Sequence, residues 1–331
     1  MIKAGIVGGA GYTGGELIRI LIHHPEVQIS FVHSSSQAGK RIDAVHTDLV
    51  GDTDLVFTDI FSTSVEVLFL CVGHGDAKKF LEANLVSDSV KIIDLSQDFR
   101  LTHNAQLATR NFIYGLPELN RDRIKTGQNI ANPGCFATCI QLGLLPLAAK
   151  GLLNAEVHIN ATTGSTGAGQ GLSATSHFSW RNNNLSVYKA FTHQHLHEIS
   201  ESINQAAGSP SPVGRAGEGL NFIPQRGDFT RGILAAMYLE TDLNLEEAEQ
   251  TYRDYYAGHP FTHISSANID LKQVVNTNKC LIHLEKHGNK LFIVSIIDNL
   301  LKGASGQAVQ NMNLLFGFEE TAGLKLKGIG F

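Results

Sequence analysis

Short apolar segments alternate with helix-forming segments along the first hundred residues. Residues 2–7, 28–33 and 67–72 each favour a β-strand. The third of these is an unbroken apolar run, as is typical of a strand buried on both faces of a parallel sheet. Leucine and isoleucine recur at helical spacing in residues 17–22. This alternation predicts a Rossmann-type, doubly wound α/β sheet, whose ligands bind beyond the carboxyl ends of the strands.

The pattern changes after residue 134. Apolar and polar positions alternate more regularly in four further strand segments, at 155–160, 231–238, 280–284 and 290–295. Helical periodicity near 195–207 and 244–257 would cover one face of the sheet that these strands form. We therefore predict a second, α+β domain with a mixed sheet at residues 135–302. A final helix that opens at 300–310 is expected to return to the first domain, which comprises 1–134 with 303–331.

A glycine-rich turn joins the first strand to the first helix. Gly8, Gly11 and Gly14 flank Tyr12 and Thr13, and the helical pattern starts immediately afterwards. Glycine leaves the backbone and the helix amino terminus open to a pyrophosphate. The context predicts a dinucleotide site that uses these five residues.

The second strand indicates which dinucleotide binds. NAD sites usually end this strand with a carboxylate for the ribose 2′-hydroxyl. Here it ends in His33 and three serines, followed by Lys40 and Arg41. We therefore predict NADP(H), with Ser34 and Ser36 near the 2′-phosphate. Gly73, at the end of the 67–72 strand, is a further candidate for cofactor binding.

Composition excludes several classes of protein. The chain has 331 residues, 43% of them hydrophobic and 17% charged, so it can bury a substantial core. A net charge of −5 without a basic run gives no support for a nucleic-acid partner. No apolar run approaches the ~20 residues that span a membrane, and the start does not resemble a signal peptide. The four cysteines lack a C-x-x-C spacing, and we expect a cytoplasmic protein.

Cys135 is the strongest candidate nucleophile. It lies in Asn132-Pro133-Gly134-Cys135, where a short strand at 128–131 turns into a long apolar helix. A thiol on the first turn of a helix is close to unpaired N–H groups and the positive end of the helix dipole, and both favour the thiolate. A buried helix cysteine is the alternative interpretation of this motif alone.

The chain resembles the N-acetyl-gamma-glutamyl-phosphate reductase family over essentially its whole length. The segments that carry the resemblance are 8–14 (GGAGYTG), 94–100 (DLSQDFR), 114–118 (YGLPE), 132–138 (NPGCFAT), 163–169 (TGSTGAG) and 298–304 (DNLLKGA). The resemblance implies an NADP-binding Rossmann domain, a catalytic and dimerisation domain, and a homo-oligomer, dimer or tetramer. It also implies reduction of a small acyl-phosphate substrate to an aldehyde through a thioester on Cys135.

The same resemblance indicates the acid/base group. Residues 193–199 (HQHLHEI) are similar to the family pattern H-R-H-x-P-E-I. His195 is the favoured acid/base and His193 the second candidate, with solvated histidines as the alternative. Gln194 stands where the family has arginine. The alternating histidines lack the accompanying ligands of a metal site, and we predict no metal.

Several residues are candidates for holding substrate or nicotinamide. Arg100, assisted by Ser96, is predicted to bind phosphate, although an Asp98–Arg100 surface pair is an alternative. Arg181 and Arg231 are candidates for the substrate α-carboxylate, or structural cations. By resemblance, Ser165, Gly167 and Asn299 are predicted near the cofactor.

The substrate itself leaves alternatives. Pro224-Gln225-Arg226 replaces the family's frequent Pro-His-Leu, which suggests a different N-acyl group such as succinyl. The same chemistry on aspartyl phosphate is the nearest rival. A Cys–His hydrolase and a non-catalytic NADP sensor are rivals from other classes; the glycine turn argues against the first, and a need for Cys135 would argue against the second.

Overall fold

The computed structural model describes residues 1–211, 213 and 219–330. The chain forms two compact units, the first made of 1–133 with 304–325 and the second of 134–303 with the residues from Leu326 onward. Phe331, which we assigned to the first domain, lies outside the described residues. No helix in the described part of the chain is long and apolar enough to cross a bilayer.

The first unit is built on an eight-stranded sheet. Its strands are β1 (Ile2–Val7), β2 (Val27–His33), β3 (Phe57–Thr58), β4 (Val67–Leu70), β5 (Lys91–Asp94), β6 (Gln106–Leu107), β7 (Arg110–Tyr114) and β8 (Asn129–Ala131). Their order is β3-β2-β1-β4-β5-β8-β7-β6, with every pair parallel except β6–β7. This is the strand order of a dinucleotide-binding sheet, reversing between β1 and β4. The predicted Rossmann-type fold is confirmed.

Four helices belong to this first unit. They are α1 (Tyr12–Leu21), α2 (Asp76–Ala83), α3 (Pro117–Lys125) and the late helix α8 (Gly306–Phe316). Helix α8 packs against α3 and α1. A π-helical turn at Leu301–Ser305 precedes it.

The second unit contains a seven-stranded mixed sheet. Its strands are β9 (Val157–Thr163), β10 (Ser186–Val187), β11 (Leu220–Arg226), β12 (Ile233–Glu240), β13 (Thr262–Ser265), β14 (Cys280–His287) and β15 (Lys290–Ile297). They follow the order β10-β11-β9-β12-β15-β14-β13, with β11–β9 and β13–β14 parallel and the other pairs antiparallel. The helices of this unit are α4 (Cys135–Ala149), α5 (Phe178–Arg181), α6 (His195–Ala207) and α7 (Leu245–Tyr255). The predicted α+β mixed-sheet architecture is confirmed.

Helix α4 is the centre of the second unit. Every residue from Phe136 to Ala148 is buried, between the sheet and helices α6 and α7. Pro146 lies inside this helix and cannot donate to the carbonyl of Leu142. The hydroxyl of Tyr256 donates to that carbonyl instead. The packing of α4 fixes the position of Cys135, its first residue.

Candidate active site

The three glycines of the first turn are needed for different steric reasons. Gly8 has a φ of +85°, and a Cβ there would lie 2.4 Å from the carbonyl oxygen of Cys71. A Cβ on Gly14 would lie 2.6 Å from the carbonyl oxygen of Gly8. At Gly11 the nearest atom would be 3.8 Å away, so its missing side chain leaves open space before α1. Chain packing thus requires Gly8 and Gly14, whereas Gly11 keeps the helix start accessible, as a bound pyrophosphate needs.

The start of α1 suits an anion in other ways. Tyr12 and Thr13 form its first turn, which carries no acidic residue. The carbonyl of Thr13 accepts a hydrogen bond from Ser305, so this turn is anchored. Gly73 lies in the neighbouring loop between β4 and α2. These residues fit a dinucleotide.

The end of β2 offers hydroxyl groups. Ser34 is buried and its oxygen lies 3.5 Å from that of Ser36. Arg41, in contrast, is bound by Asp43 at 2.6 Å and Asp54 at 2.9 Å. The arginine named in the sequence as a phosphate receptor is therefore engaged by carboxylates, and the two serines are the better candidates.

Ser96 and Arg100 organise the loops at the carboxyl ends of β5 and β8. The Ser96 hydroxyl donates to Asp94 at 2.8 Å and accepts the N–H of Asp98 at 3.0 Å. Arg100 is 7% exposed and donates to the carbonyls of Asn132 and Leu95, each at 2.9 Å. Asp98 accepts the N–H groups of Gly75 and Lys78, so its carboxylate holds the start of α2. Phosphate binding by Ser96 and Arg100 stays a prediction.

Two side chains hold the segment that leads to Cys135. The amide of Asn132 donates to the carbonyl of Ala304 at 3.0 Å and accepts from Asn311 at 3.1 Å. Gly134 then caps α4 in an extended conformation and gives its N–H to Glu198 at 3.0 Å. Cys135 is half-buried, at the first position of this tightly packed helix.

Gly303 packs directly against this cysteine. A Cβ on Gly303 would lie 2.9 Å from the Cβ of Cys135 and 3.2 Å from its Cα. This close packing gives a steric reason for glycine at position 303. Both sides of the contact are backbone-linked atoms, so the clash has little room to relax.

Replacing Gly303 by alanine should displace Cys135. We expect Gly303→Ala to lower kcat roughly 10- to 100-fold, since a misplacement of about 1 Å at a reacting centre can cost 10²-fold. The melting temperature should fall by only a few degrees. Steady-state kinetics and thermal unfolding measure the two effects. Gly171→Ala, at an exposed position where a Cβ meets nothing within 4 Å and φ is not positive, is the control for adding a methyl group. Normal kcat in a folded Gly303→Ala protein would contradict the proposed contact.

Glu198 connects the cysteine turn to the histidines. It lies on α6, is 4% exposed, and has one carboxylate oxygen on the N–H of Gly134. Its other oxygen lies 3.8 Å from Nε2 of His195. Gln141 of α4 donates to its backbone carbonyl at 3.0 Å. Sequence reasoning gave Glu198 no role, although its spacing of three residues from His195 on one helix could have indicated one.

His193 and His195 occupy different environments. Nδ1 of His193 accepts the backbone N–H of His195 at 3.2 Å, so His193 closes the start of α6. Burial lowers the pKa of His193 to about 4, and the Lys189 charge acts in the same direction. His193 is therefore neutral near pH 7, and one of its nitrogens is committed. His195, on the first turn of α6 beside Glu198, is the better placed acid/base.

The two predicted carboxylate-binding arginines also differ. Arg231 forms a bidentate pair with Asp298, at 2.9 and 3.1 Å, and Asp298 is fully buried. This geometry favours the structural interpretation of Arg231. Arg181 is buried without any ion pair among the described residues, and it remains a candidate for an anion.

The 163–169 loop is held from within its own unit. Asn299 accepts the N–H of Gly232 at 2.7 Å and donates to Thr166 at 2.9 Å. Ser165 donates its N–H to Phe229, and Gly167 donates to Gly164. Both ends of the Asn299 amide thus have protein partners, and the cofactor roles of Ser165, Gly167 and Asn299 stay predictions.

Comparison with protein families divides the chain in a similar place. Residues 3–127 match the semialdehyde dehydrogenase NAD binding domain. Residues 135–299 match the semialdehyde dehydrogenase dimerisation domain, which supports self-association of the chain. In the described residues, no three His, Cys, Asp or Glu side chains converge as a metal site requires.

Full-length relatives share more than half of the sequence. A protein of Azobacteroides pseudotrichonymphae is 60% identical over 100% of both chains. Those of Bacteroides thetaiotaomicron and Flavobacterium johnsoniae are 59% and 56% identical, again over 100% of both. Each of the three is named N-acetyl-gamma-glutamyl-phosphate reductase.

Solved structures share the fold at low identity. Aspartate semialdehyde dehydrogenase II from Vibrio cholerae, complexed with ASA, superposes with a TM-score of 0.70 at 18% identity, covering 96% of this chain and 98% of that one. Aspartate semialdehyde dehydrogenase with NADP from Candida albicans gives 0.64 at 16% identity, covering 95% and 98%.

Proposed function

The chain belongs to the N-acetyl-gamma-glutamyl-phosphate reductase family, and we propose that it reduces N-acetyl-gamma-glutamyl phosphate to N-acetyl-glutamate 5-semialdehyde with release of phosphate, as an enzyme of arginine biosynthesis. The observation that carries the proposal is the Cys135–Glu198–His195 arrangement. The carboxylate of Glu198 holds the turn before the nucleophile at 3.0 Å and lies 3.8 Å from the imidazole.

The first half of the reaction uses these residues alone. His195 accepts the proton of the Cys135 thiol, and Sγ attacks the acyl carbon. The bond from this carbon to the phosphate oxygen breaks, and phosphate leaves with the electron pair. Backbone N–H groups of the first turn of α4 are suited to stabilise the oxyanion. That of Gly134 is excluded from this role, because it is given to Glu198.

The second half converts the thioester into the aldehyde. NADPH supplies the hydride for this reduction and would be held by Gly8, Gly11, Tyr12, Thr13, Gly14, Ser34, Ser36 and Gly73. Protonated His195 donates its proton to the oxygen of the resulting hemithioacetal and takes it back when the carbonyl of the aldehyde forms. The bond between carbon and Sγ then breaks, and Cys135 returns as thiolate. Glu198 stabilises the imidazolium between the two halves.

We also infer the roles of the two units, the oligomeric state and the cellular location of the enzyme. We assign NADP binding to the unit containing residues 1–133, and catalysis and dimerisation to the unit that starts at Gly134. The assembly is a dimer or tetramer. We place the enzyme in the cytoplasm, where the thiol of Cys135 stays reduced.

The reverse reaction tests the function. Purified protein is mixed with N-acetyl-glutamate 5-semialdehyde, phosphate and NADP⁺, and NADPH absorbance is followed. We expect a rate that requires phosphate, and at least a tenfold higher kcat/KM for NADP⁺ than for NAD⁺, because one hydrogen bond to a charged group gives about this factor. A rate independent of phosphate would contradict the acyl-phosphate chemistry. Equal use of NAD⁺ would contradict the role of Ser34 and Ser36.

A further inference from the structure

Two arginines lie together in the second unit, and neither has a carboxylate partner among the described residues. Arg181 ends α5 and Arg226 ends β11, where it pairs in register with Ser186 of the neighbouring strand. Burial lowers the pKa of Arg181, and the charge of Arg226 acts in the same direction. Within residues 1–211, 213 and 219–330, neither guanidinium forms an ion pair.

Their hydrogen bonds to the protein are few and weak. Arg181 is 9% exposed, and its Nε is buried with no hydrogen-bond partner among the described residues. One of its terminal nitrogens reaches the carbonyl of Gly227, but only at 3.4 Å. Arg226 donates to the hydroxyl of Thr175, also at 3.4 Å, and hydrogen-bonds with the side chain of Tyr188. Asp228 acts on the charge of Arg181, and it accepts the N–H of Asn183 at 2.7 Å.

A buried cation beside a second, partly exposed cation is unfavourable unless something compensates the charges. Desolvation is the first cause of the lowered pKa of Arg181, and the neighbouring Arg226 adds repulsion. A guanidinium fork with an unused Nε matches a carboxylate, which accepts two parallel hydrogen bonds. Because no carboxylate in the described part of the chain pairs with these arginines, the site suits an anionic ligand.

The arginine pair adjoins the catalytic groups. The guanidinium of Arg226 lies over the ring of Tyr188, 4.2 Å from its centroid. The ring of Tyr188 is 5.7 Å from that of His193, which in turn is 4.6 Å from that of His195. Burial raises the pKa of Tyr188 to about 12, and the charge of Cys135 adds to this effect. A substrate attached to Cys135 can thus extend past Tyr188 towards the two arginines.

Charge matching indicates what the ligand carries. Arg231 is neutralised by Asp298, whereas Arg181 and Arg226 have no ion-pair partner among the described residues. An N-acetyl-gamma-glutamyl group brings one carboxylate, and the phosphate leaves in the first step. A second carboxylate, at the end of the N-acyl group, would supply a negative charge that both guanidinium groups can share.

We propose that Arg181 and Arg226 form a subsite for a carboxylate at the far end of the substrate's N-acyl group, so that the substrate class extends to N-acyl-gamma-glutamyl phosphates such as the N-succinyl compound. The proposal rests on the proposed function, because it assigns the acyl end of the same substrate. It makes Arg226 and Arg181 determinants of specificity, with no part in the bond-breaking steps.

The test compares two substrates on one enzyme. The 5-semialdehydes of N-acetyl- and N-succinyl-glutamate are oxidised with phosphate and NADP⁺, each alone and in competition. We expect kcat/KM for the N-succinyl compound to exceed that for the N-acetyl compound roughly 10- to 100-fold, the range of one charged hydrogen bond or bidentate pair. A ratio at or below one would overturn the inference and leave the proposed function intact. Inactivity towards both compounds would instead overturn the proposed function.

Single substitutions test whether the two arginines cause the preference for the N-succinyl substrate. Arg226→Leu and Arg181→Leu should each reduce the succinyl-to-acetyl ratio at least tenfold, and Arg226→Lys should restore part of it. Arg253→Leu, on the exposed face of α7 beside Glu249, is the matched control for removing a guanidinium and should keep the wild-type ratio. An equal loss for both substrates in Arg226→Leu would show that the pair binds the α-carboxylate, and would overturn the inference.

A binding measurement on the wild-type enzyme tests the subsite even if the arginine variants fail to fold. Calorimetric titration of the wild-type enzyme with N-succinyl-glutamate and N-acetyl-glutamate needs no turnover. We expect at least tenfold tighter binding of the succinyl compound, with a difference that shrinks as salt rises. Equal affinities would count against the subsite.

Discussion

Replacing Cys135 by serine is expected to lower kcat at least ~10³-fold in both directions of the reaction, as deletion of a nucleophile commonly does. Serine keeps the size of the side chain and loses the acidity and polarisability that make a thiolate nucleophilic. The half-buried position on the first turn of α4 is maintained by the packed residues 136–148, so the fold should survive. NADPH absorbance with the semialdehyde substrate measures the loss.

Cys139 provides the matched control on the same helix. It is fully buried, and its thiol donates to the carbonyl of Ser295 at 3.2 Å. Burial raises its pKa well above the ordinary value, so it is a poor nucleophile. Cys139→Ser keeps a donor for that carbonyl and should stay within about threefold of wild-type kcat, the change typical of sites outside the reacting centre. Full activity of Cys135→Ser would refute the thioester and revive the hypothesis of a non-catalytic sensor.

A covalent adduct gives independent evidence. Wild-type enzyme mixed with acyl phosphate in the absence of NADPH should accumulate a thioester on Cys135, visible as an added mass in the intact protein. Cys135→Ser should show none at the same exposure. Hydrolysis of the acyl phosphate at full turnover without NADPH would favour the Cys–His hydrolase.

The periodicity predicts the elements that are long or fully buried. The first strand, the glycine turn and α1 follow from the apolar run and the glycine spacing. Strand β11 was missed, because Pro224 lies within it and proline disfavours a strand in the middle of a sheet. It is nevertheless held between β10 and β9. Helix α3 was also missed, although Pro117 at its start is a recognised signal.

In the candidate site, residue type alone does not reveal the role of every side chain. Cys135 and the two histidines are identifiable because the chemistry needs them at a helix start. The partners that decide the role of a charged or polar side chain lie far away in the chain. Arg231 is engaged by Asp298, 67 residues later, and Asn299 by Thr166, 133 residues earlier. Such pairings arise only when the strands come together, so the sequence leaves both roles open.

Close packing between residues distant in the chain is equally hard to predict from the sequence. The close approach of Gly303 to Cys135, which would bring an added Cβ within 2.9 Å of the cysteine, depends on a π-helical turn that no local pattern indicates. The role of Glu198 depends on the packing of α6 against α4. These residues support the nucleophile from other elements, and only tertiary structure assigns them.

Replacing His195 by asparagine is expected to lower kcat roughly 10²- to 10⁴-fold, the usual contribution of general acid–base catalysis. The imidazole lies 3.8 Å from the buried carboxylate of Glu198, which stabilises its protonated form during turnover. Asparagine retains a polar side chain of similar reach and cannot carry the proton. The loss should appear in kcat with the semialdehyde substrate, and free imidazole should restore part of it.

His193→Asn is the matched comparison, because it makes the same change two residues earlier. The Nδ1 of His193 accepts the N–H of His195 at 3.2 Å, and the amide oxygen of asparagine can accept in its place. With a pKa of about 4, His193 holds no proton to transfer near pH 7. This variant should therefore lose less than about tenfold in kcat, well below the range of a proton-transferring group. If the larger loss fell on His193→Asn while His195→Asn remained active, the two roles would have to be exchanged, and the link from Glu198 to the imidazole would have no part in proton transfer.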